Sequence, residues 1–183
     1  MDDAGNVERI HDLIRQNDPS ALDLIYDTFG ARLYRYVLVM LGDVGMSEDV
    51  LQNVFVRLAE NRECLARVEN LAGYLFIMAR NLALNVRRSR AKKEENIEDY
   101  ANILATEADD PGAVDDRDQL LKALLKLPLE QREVIAMKCW QDMTFDEIAD
   151  SLKISLNTVA SRYRYALKKL REHLMRGNNM FRL

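Results

Sequence analysis

The side chains in this sequence with the clearest chemical bias are cations. From Arg80 to Lys93 the chain carries Arg80, Arg87, Arg88, Arg90, Lys92 and Lys93 with no acid among them. From Lys153 to Arg176 it carries seven bases against the lone acid Glu172. One such run is ordinarily a solvated helix face. Two of them in a chain of net charge −4 point to a polyanionic partner, because clustered Lys and Arg neutralise phosphates and release their counterions. The second run has an added quality. Asn157, Thr158 and Ser161 precede Arg164, Lys168 and Arg171, so short polar side chains that let a backbone approach base edges are followed by bases that hold phosphates.

Catalytic chemistry finds little to work with. His11 and His173 are the only histidines, no Cys or His pair has metal-ligand spacing, and no glycine-rich loop can cradle phosphate. Asp109, Asp110, Asp115 and Asp116 form an acidic cluster without the ordered frame a divalent cation requires. No catalytic residue, metal or cofactor is expected. Cys64 and Cys139 lie 75 residues apart in sequence, which suits a reducing cytoplasm better than a disulfide scaffold. The N-terminus is acidic and lacks the basic-then-apolar order of a secretion signal, and the longest apolar run, Tyr36 to Leu41, is far shorter than a membrane span. A cytoplasmic protein is expected.

The elements that must position these cations are helices. Only 7 Gly and 3 Pro in 183 residues leave few turns for a strand-rich fold. Asp18-Pro19-Ser20 is a helix start, and Leu22, Ile25, Tyr26, Phe29, Leu33, Tyr36, Val37 and Met40 recur at threes and fours behind it, up to Gly42 and Gly45. Ser47 is the expected cap of a second helix with Val50, Leu51, Val54, Phe55 and Leu58 inside. Asn70 is the expected cap of a third, burying Leu71, Tyr74, Leu75, Met78, Leu82 and Val86. Further on, Leu120, Leu121, Leu124, Leu125 and Leu127 lead to a break at Pro128, then Val134, Ile135 and Met137 continue toward Cys139 and a core Trp140.

Thr144-Phe145-Asp146-Glu147 has the form of a capping box and opens a short helix with Phe145, Ile148, Ala149 and Leu152 inside. Lys153-Ile154-Ser155 is a turn, and Ser155 can cap a long helix whose inner stripe is Val159, Tyr163, Ala166, Leu167, Leu170 and Leu174. Its outer face presents Asn157, Ser161, Arg164, Lys168 and Arg171, flanked by Thr158, Arg162, Tyr165 and Lys169. This is a helix-turn-helix, with Lys153 where such units often place Gly. A left-handed turn there costs a lysine on the order of 1 kcal/mol.

Charge divides the chain. Residues 1–93 balance at 13 bases and 13 acids, residues 94–118 hold 10 acids against Arg117, and residues 119–183 hold 12 bases against 7 acids. The middle stretch reads as a solvated, flexible acidic linker. The expected architecture is all-α: a helical bundle over 1–93, the linker over 94–118, a helix-turn-helix domain over 119–176 and a tail over 177–183.

Three stretches resemble one family. Ser47 to Leu58, SEDVLQNVFVRL, is similar to the polymerase-binding segment of bacterial RNA polymerase sigma factors of the extracytoplasmic-function (ECF) group. Gly73 to Asn85, GYLFIMARNLALN, resembles the segment that melts and reads the minus-ten element. Leu127 to Val134, LPLEQREV, followed by Thr144 to Leu170, resembles the domain that reads the minus-thirty-five element. The order of the three and the linker position also match.

The resemblance implies a factor that binds core RNA polymerase and directs it to promoter DNA for transcription initiation. Asp49, Gln52, Phe55 and Arg57 match positions that engage the polymerase clamp. Asn81 matches an Asn beside a flipped base of the non-template strand, with the loop from Asn61 to Asn70 completing that pocket; Tyr74, Arg80, Asn85, Arg87 and Arg88 belong to the same minus-ten surface. An amide that donates and accepts, with cations for phosphate, is what such a pocket needs. Asn85 stands where the family often has Asp. The minus-thirty-five surface is Ser155, Asn157, Thr158, Ser161, Arg162, Arg164, Tyr165 and Lys168, with Ala160 and Tyr165 at positions often basic in the family. An anti-sigma factor is a further partner that such families commonly have, although no residue here identifies one. The alternative is a helix-turn-helix regulator acting without the polymerase, and the segment Asp49 to Arg57 discriminates the two.

Overall fold

A computed structural model of the chain describes residues 3–94 and 116–179. Regular structure among them is helical throughout: α1 (Asp3–Arg15), α2 (Ser20–Leu41), α3 (Val44–Glu60), α4 (Arg62–Leu65), α5 (Leu71–Glu94), α6 (Asp116–Leu125), α7 (Leu129–Trp140), α8 (Phe145–Leu152) and α9 (Leu156–Asn179). The chain divides into two compact units, Met1–Tyr100 and Ala101–Leu183. Most of the acidic stretch 94–118 lies outside the described residues; α5 runs to its first residue and α6 begins within it at Asp116.

In the first unit α2 is the central element, packed on α1, α3 and α5. Its start is the expected one. Pro19 already has helical dihedrals, and the Asp18 carboxylate accepts from the Ser20 amide at 2.9 Å and the Ser20 hydroxyl at 2.8 Å. That bonding, led by the Ser20 amide, holds the Asp18 carboxyl below its ordinary pKa. Gly42 ends α2 in the left-handed region (φ 72°), where its amide reaches the Leu38 carbonyl.

The start of α3 differs from the expectation. Asp43, not Ser47, is the cap, its carboxylate accepting from the Met46 amide at 2.9 Å. Gly45 lies inside this helix, and Ser47 is fully buried one turn in, its hydroxyl donating to the Asp43 carbonyl. Asn70 caps α5 as expected, accepting from the Gly73 amide at 2.8 Å.

The core of this unit is Ile10, Ile25, Phe29, Leu33, Tyr36, Val37, Met40, Val50, Val54, Leu58, Leu65, Leu71, Leu75, Phe76, Ala79 and Ala83. The stripe on α5 is thus shifted from the expected one: Phe76, Ala79 and Ala83 are buried, whereas Tyr74, Met78, Leu82 and Val86 are only half-buried. Small alanines let α5 approach both α2 and α3, against which it packs. Tyr26, placed in the α2 stripe by periodicity, is 54% exposed and packs edge-on against Phe55 of α3 (centroids 5.2 Å apart). Phe55 and Leu51 are themselves half-buried.

In the second unit α9 packs on α6, α7 and α8. Pro128 separates α6 from α7, and its carbonyl accepts from the amides of Gln131 and Arg132, both at 3.0 Å. The buried Arg132 guanidinium donates to the carbonyls of Leu125 and Leu127, at 3.1 and 3.0 Å, so the end of α6 is capped from α7. Leu124, Leu127, Val134, Met137, Ile148, Val159, Ala166 and Leu170 are buried. Leu120 and Leu167 are exposed, against expectation, and Phe145, Leu152, Trp140, Tyr163 and Leu174 are half-buried.

Candidate nucleic-acid and protein interfaces

The first candidate surface is the outer side of α3. Asp49, Gln52 and Val56 follow one another at three and four, Asn53 lies beside Gln52, and all are exposed. Arg57 is exposed on the adjoining flank. Asp49 and Gln52 stand clear of the buried Val50, Val54 and Leu58. Phe55 is the exception among the four expected contacts, being half-covered by Tyr26. The pair Tyr26–Phe55 and the exposed Val56 add an apolar floor beside the polar row. Tyr26 escaped the sequence reading because its spacing fits the core stripe equally well. At the other side of α3, Tyr34 of α2 has its phenol pKa raised, first by burial and then by the Glu48 carboxylate.

The second surface is α5. Tyr74, Asn81, Asn85 and Arg88 recur at seven, four and three, which puts them along one line of the helix. Asn81, Asn85 and Arg88 are exposed there, and the Arg88 guanidinium donates to the Asn85 side-chain oxygen at 3.3 Å. Arg80 and Arg87 lie along a different line, seven residues apart and about 120° around the helix from the first. Arg87 has a structural employment that sequence did not reveal: its guanidinium donates to the Met40 carbonyl at 3.1 Å, at the C-terminal end of α2. That carbonyl is one of the last four of the helix, which have no intrahelical donor. The expected loop Asn61–Asn70 contains the single helical turn α4, pinned by the buried Leu65.

The third surface is α9 with its turn. Thr144 and Glu147 form the expected capping box, the Thr144 hydroxyl accepting from the Glu147 amide at 3.2 Å and the Glu147 carboxylate accepting from the Thr144 amide at 2.7 Å. Those bonds, the Thr144 amide first, hold the Glu147 carboxyl below its ordinary pKa. Lys153 is left-handed (φ 54°, ψ 46°), the geometry expected of the turn. Ser155 caps α9 by accepting from the Thr158 amide at 3.1 Å, and the two hydroxyls are bonded at 2.8 Å. The Ser161 hydroxyl donates back to the Thr158 carbonyl at 2.9 Å. Asn157, Arg164, Tyr165 and Lys168 are exposed, whereas Thr158, Ser161 and Arg162 are half-buried. Tyr163 packs inward on Phe145 (5.3 Å, edge-on), its phenol pKa raised by burial first and then by the Cys139 thiol.

The family descriptions Sigma-70 region 2 and Sigma-70 region 4 match residues 25–93 and 117–170. The ECF RNA polymerase sigma factor SigL of Mycobacterium tuberculosis is 33% identical over 150 residues, covering 80% of this chain and 85% of its own. The chain belongs to the ECF RNA polymerase sigma factors.

SigW of Bacillus subtilis, another ECF sigma factor, is 27% identical over 175 residues, covering 88% of this chain and 92% of its own. Among solved structures, the fold is shared with the sigma factor RpoE in complex with the anti-sigma factor NepR from Bartonella quintana (TM-score 0.68, 20% identity, 78% of this chain and 89% of that one). It is shared also with CnrH in complex with the cytosolic domain of CnrY (TM-score 0.65, 19% identity, 92% and 97%). The all-α, two-domain reading agrees with these relationships. As an ECF sigma factor the chain directs RNA polymerase to promoters, and sigma factors as a class are non-enzymatic initiation factors. Region 2 spans the α3 and α5 surfaces, and region 4 spans the helix-turn-helix. Among the described residues there is no metal-ligand cluster, and no helix is long and apolar enough to cross a membrane.

Proposed function

We propose that the three surfaces divide the work of initiation. Asp49, Gln52, Phe55 and Arg57 on α3 bind the clamp of core RNA polymerase. Tyr74, Arg80, Asn81, Asn85 and Arg88 read and hold the opened minus-ten element. Ser155, Asn157, Thr158, Ser161, Arg162, Arg164, Tyr165 and Lys168 engage the minus-thirty-five duplex. Arg87 serves the minus-ten surface through the end of α2, its guanidinium being committed to the Met40 carbonyl. Residues 1–93 and 119–176 act as the two functional domains, joined by the acidic 94–118 and followed by the tail 177–183. The chain works in the cytoplasm without a catalytic activity of its own, and an anti-sigma factor is a fitting regulator because the similar structures of RpoE and CnrH carry protein partners.

The observation that carries this reading is the α3 face: a polar row with an aromatic floor, exposed on a helix whose other side is fully buried. A regulator working without the polymerase has no use for it. Asp49→Ala combined with Gln52→Ala is the test, since both side chains are exposed and alanine keeps the helix. The folded double variant should lose core-polymerase binding and promoter-specific transcription together. Unchanged binding to core polymerase would favour the stand-alone regulator.

A further inference from the structure

Helix α1 belongs to none of the three surfaces, yet it is tied to the segment between α3 and α5. The Arg62 guanidinium of α4 donates through Nη2 to the Asn17 carbonyl at 2.6 Å and to the Asn17 side-chain oxygen. Asn17 sits in the tight connection between α1 and α2 and is left-handed (φ 54°). The Asn17 amide donates to the Ile14 carbonyl at 3.0 Å and the Asp18 amide to the Leu13 carbonyl at 2.9 Å, so this turn is itself locked to the end of α1. Asparagine tolerates the left-handed region and brings a second acceptor to it. The neighbouring Asp18, cap of α2, feels the positive charge of Arg62.

Among its described residues this segment is otherwise fixed at its two ends, where Asn61 bonds the Arg57 carbonyl and Asn70 caps α5. It contains one helical turn, and Asn61, Arg67, Glu69 and Asn70 are exposed. Within it the Val68 amide donates to the Leu65 carbonyl at 3.1 Å. Leu65 is its buried anchor, and α4 packs against α1, whose Ile10 and Ile14 are buried. A single hydrophobic anchor fixes a loop's position but leaves rotation about it. A second, polar attachment several residues away removes that freedom.

We propose that Arg62, acting through Asn17, is a positioning residue for base selection at the minus-ten element: it hooks the Asn61–Asn70 segment to the α1–α2 turn and so sets the width of the pocket that segment forms with Asn81. The inference rests on the reading that this segment and Asn81 receive a flipped base. Arg62 itself is engaged by Asn17 and is not assigned a DNA contact. The device also gives α1 a function. It braces a recognition loop through the α1–α2 turn.

The test uses holoenzyme assembled from the full chain and core polymerase, with promoter templates carrying each of the four bases at each minus-ten position. The quantity read is the ratio of open-complex formation on the preferred base to that on the next best. Arg62→Gln should lower this ratio at one position by roughly three- to tenfold, the scale of losing one ordinary hydrogen bond. Affinity for core polymerase and for an upstream duplex should stay unchanged. Asn17→Asp, which keeps the acceptor and tolerates the left-handed turn, should keep the ratio. Asn17→Gly, which keeps the turn and the carbonyl but loses the side-chain oxygen, should lower it less than Arg62→Gln does and serves if that variant folds poorly.

A merely structural role would lower melting temperature and activity on all templates alike while leaving the ratio intact, and that result overturns the proposal. Asn81→Ala separates the two layers. If it relaxes base choice while Arg62→Gln and Asn17→Gly do not, the positioning role is wrong and the pocket stands. If Asn81→Ala leaves base choice untouched at every position, the pocket falls and the proposal with it.

Discussion

Arg164 and Lys168 are exposed, four residues apart on the outer face of α9, and carry no ion pair among the described residues. Replacing both with alanine removes two charges without touching Val159, Ala166 or Leu170, which hold the helix to its unit. Alanine keeps helix propensity, so α9 should persist. If both side chains meet phosphates, two counterions fewer are released on binding, and the slope of log affinity against log salt should flatten by about 1.8. Between about 0.05 M and 0.2 M salt, a fourfold change, that flattening amounts to about 1.1 log units. The advantage of the natural chain over the double variant on a minus-thirty-five duplex should therefore narrow by about tenfold across this range. The assay is holoenzyme binding to a labelled duplex at four or five salt concentrations. Asn157→Ala is the companion variant: it should alter base preference and leave the slope alone. A double variant with an unaltered slope would refute the placement of this face against the DNA backbone.

Three further outcomes follow from local geometry. Arg87→Ala should lower the stability of the first unit by about 1–2 kcal/mol in urea melts, because the Met40 carbonyl loses a charge-assisted bond at a helix C-terminus; a purely phosphate-binding Arg87 would leave the melt unchanged. Thr144→Ala should cost about 1 kcal/mol at neutral pH by removing the capping box. The Glu147 half of that box is pH-dependent: its depressed pKa contributes stability above the ordinary value near 4.5, and that contribution is lost as pH falls through the lowered folded value. The gap between the natural chain and the variant should shrink in acid, as denaturant midpoints taken from pH 7 to pH 3 would show. Lys153→Gly should stabilise the second unit by a few tenths to about 1 kcal/mol, since relief of the left-handed strain exceeds the glycine's extra freedom when unfolded; thermal melting of the two proteins decides it.

Helices with both a cap and a one-sided stripe have ends that are legible in sequence, and those lacking either are legible only in part. Helix α2 has Asp18, Pro19 and Gly42 as punctuation, and its ends fall where these place them. Helix α8 has its capping box, and α9 its Ser155. Two candidate caps four residues apart, Asp43 and Ser47, precede the α3 stripe. Asp43 takes the role because the helix gains a further turn that buries Ser47 against its neighbours. Helix α1 gives only a weak signal although Val7, Ile10 and Ile14 have helical spacing, because a few apolar positions in a polar, uncapped stretch are a weak pattern until the helix packs on α2 and α4. On α5 the counting of large side chains misplaced the stripe. Its close approaches are made at Ala79 and Ala83, and alanine carries little hydropathy weight even where its smallness decides which face goes inside.

The functional surfaces show a different boundary of legibility. Exposure of Asp49, Gln52, Asn81, Asn157, Arg164 and Lys168 follows from helical phase alone, so sequence could place them correctly once the helices were known. What a cation does once placed is not a matter of phase. Arg87 and Arg88 are consecutive, equally charged and both exposed, yet one reaches a helix end 47 residues back while the other bonds Asn85 one turn away. The difference is made by where α2 stops, because Gly42 ends the helix and leaves the Met40 carbonyl without an intrahelical donor. Arg62 is the same case, directed by the left-handed Asn17. A basic run therefore overstates the number of side chains free for phosphate by those that meet orphan carbonyls. Those carbonyls occur at helix ends and turns, so the cations nearest such ends are the first to be drawn from DNA into the fold.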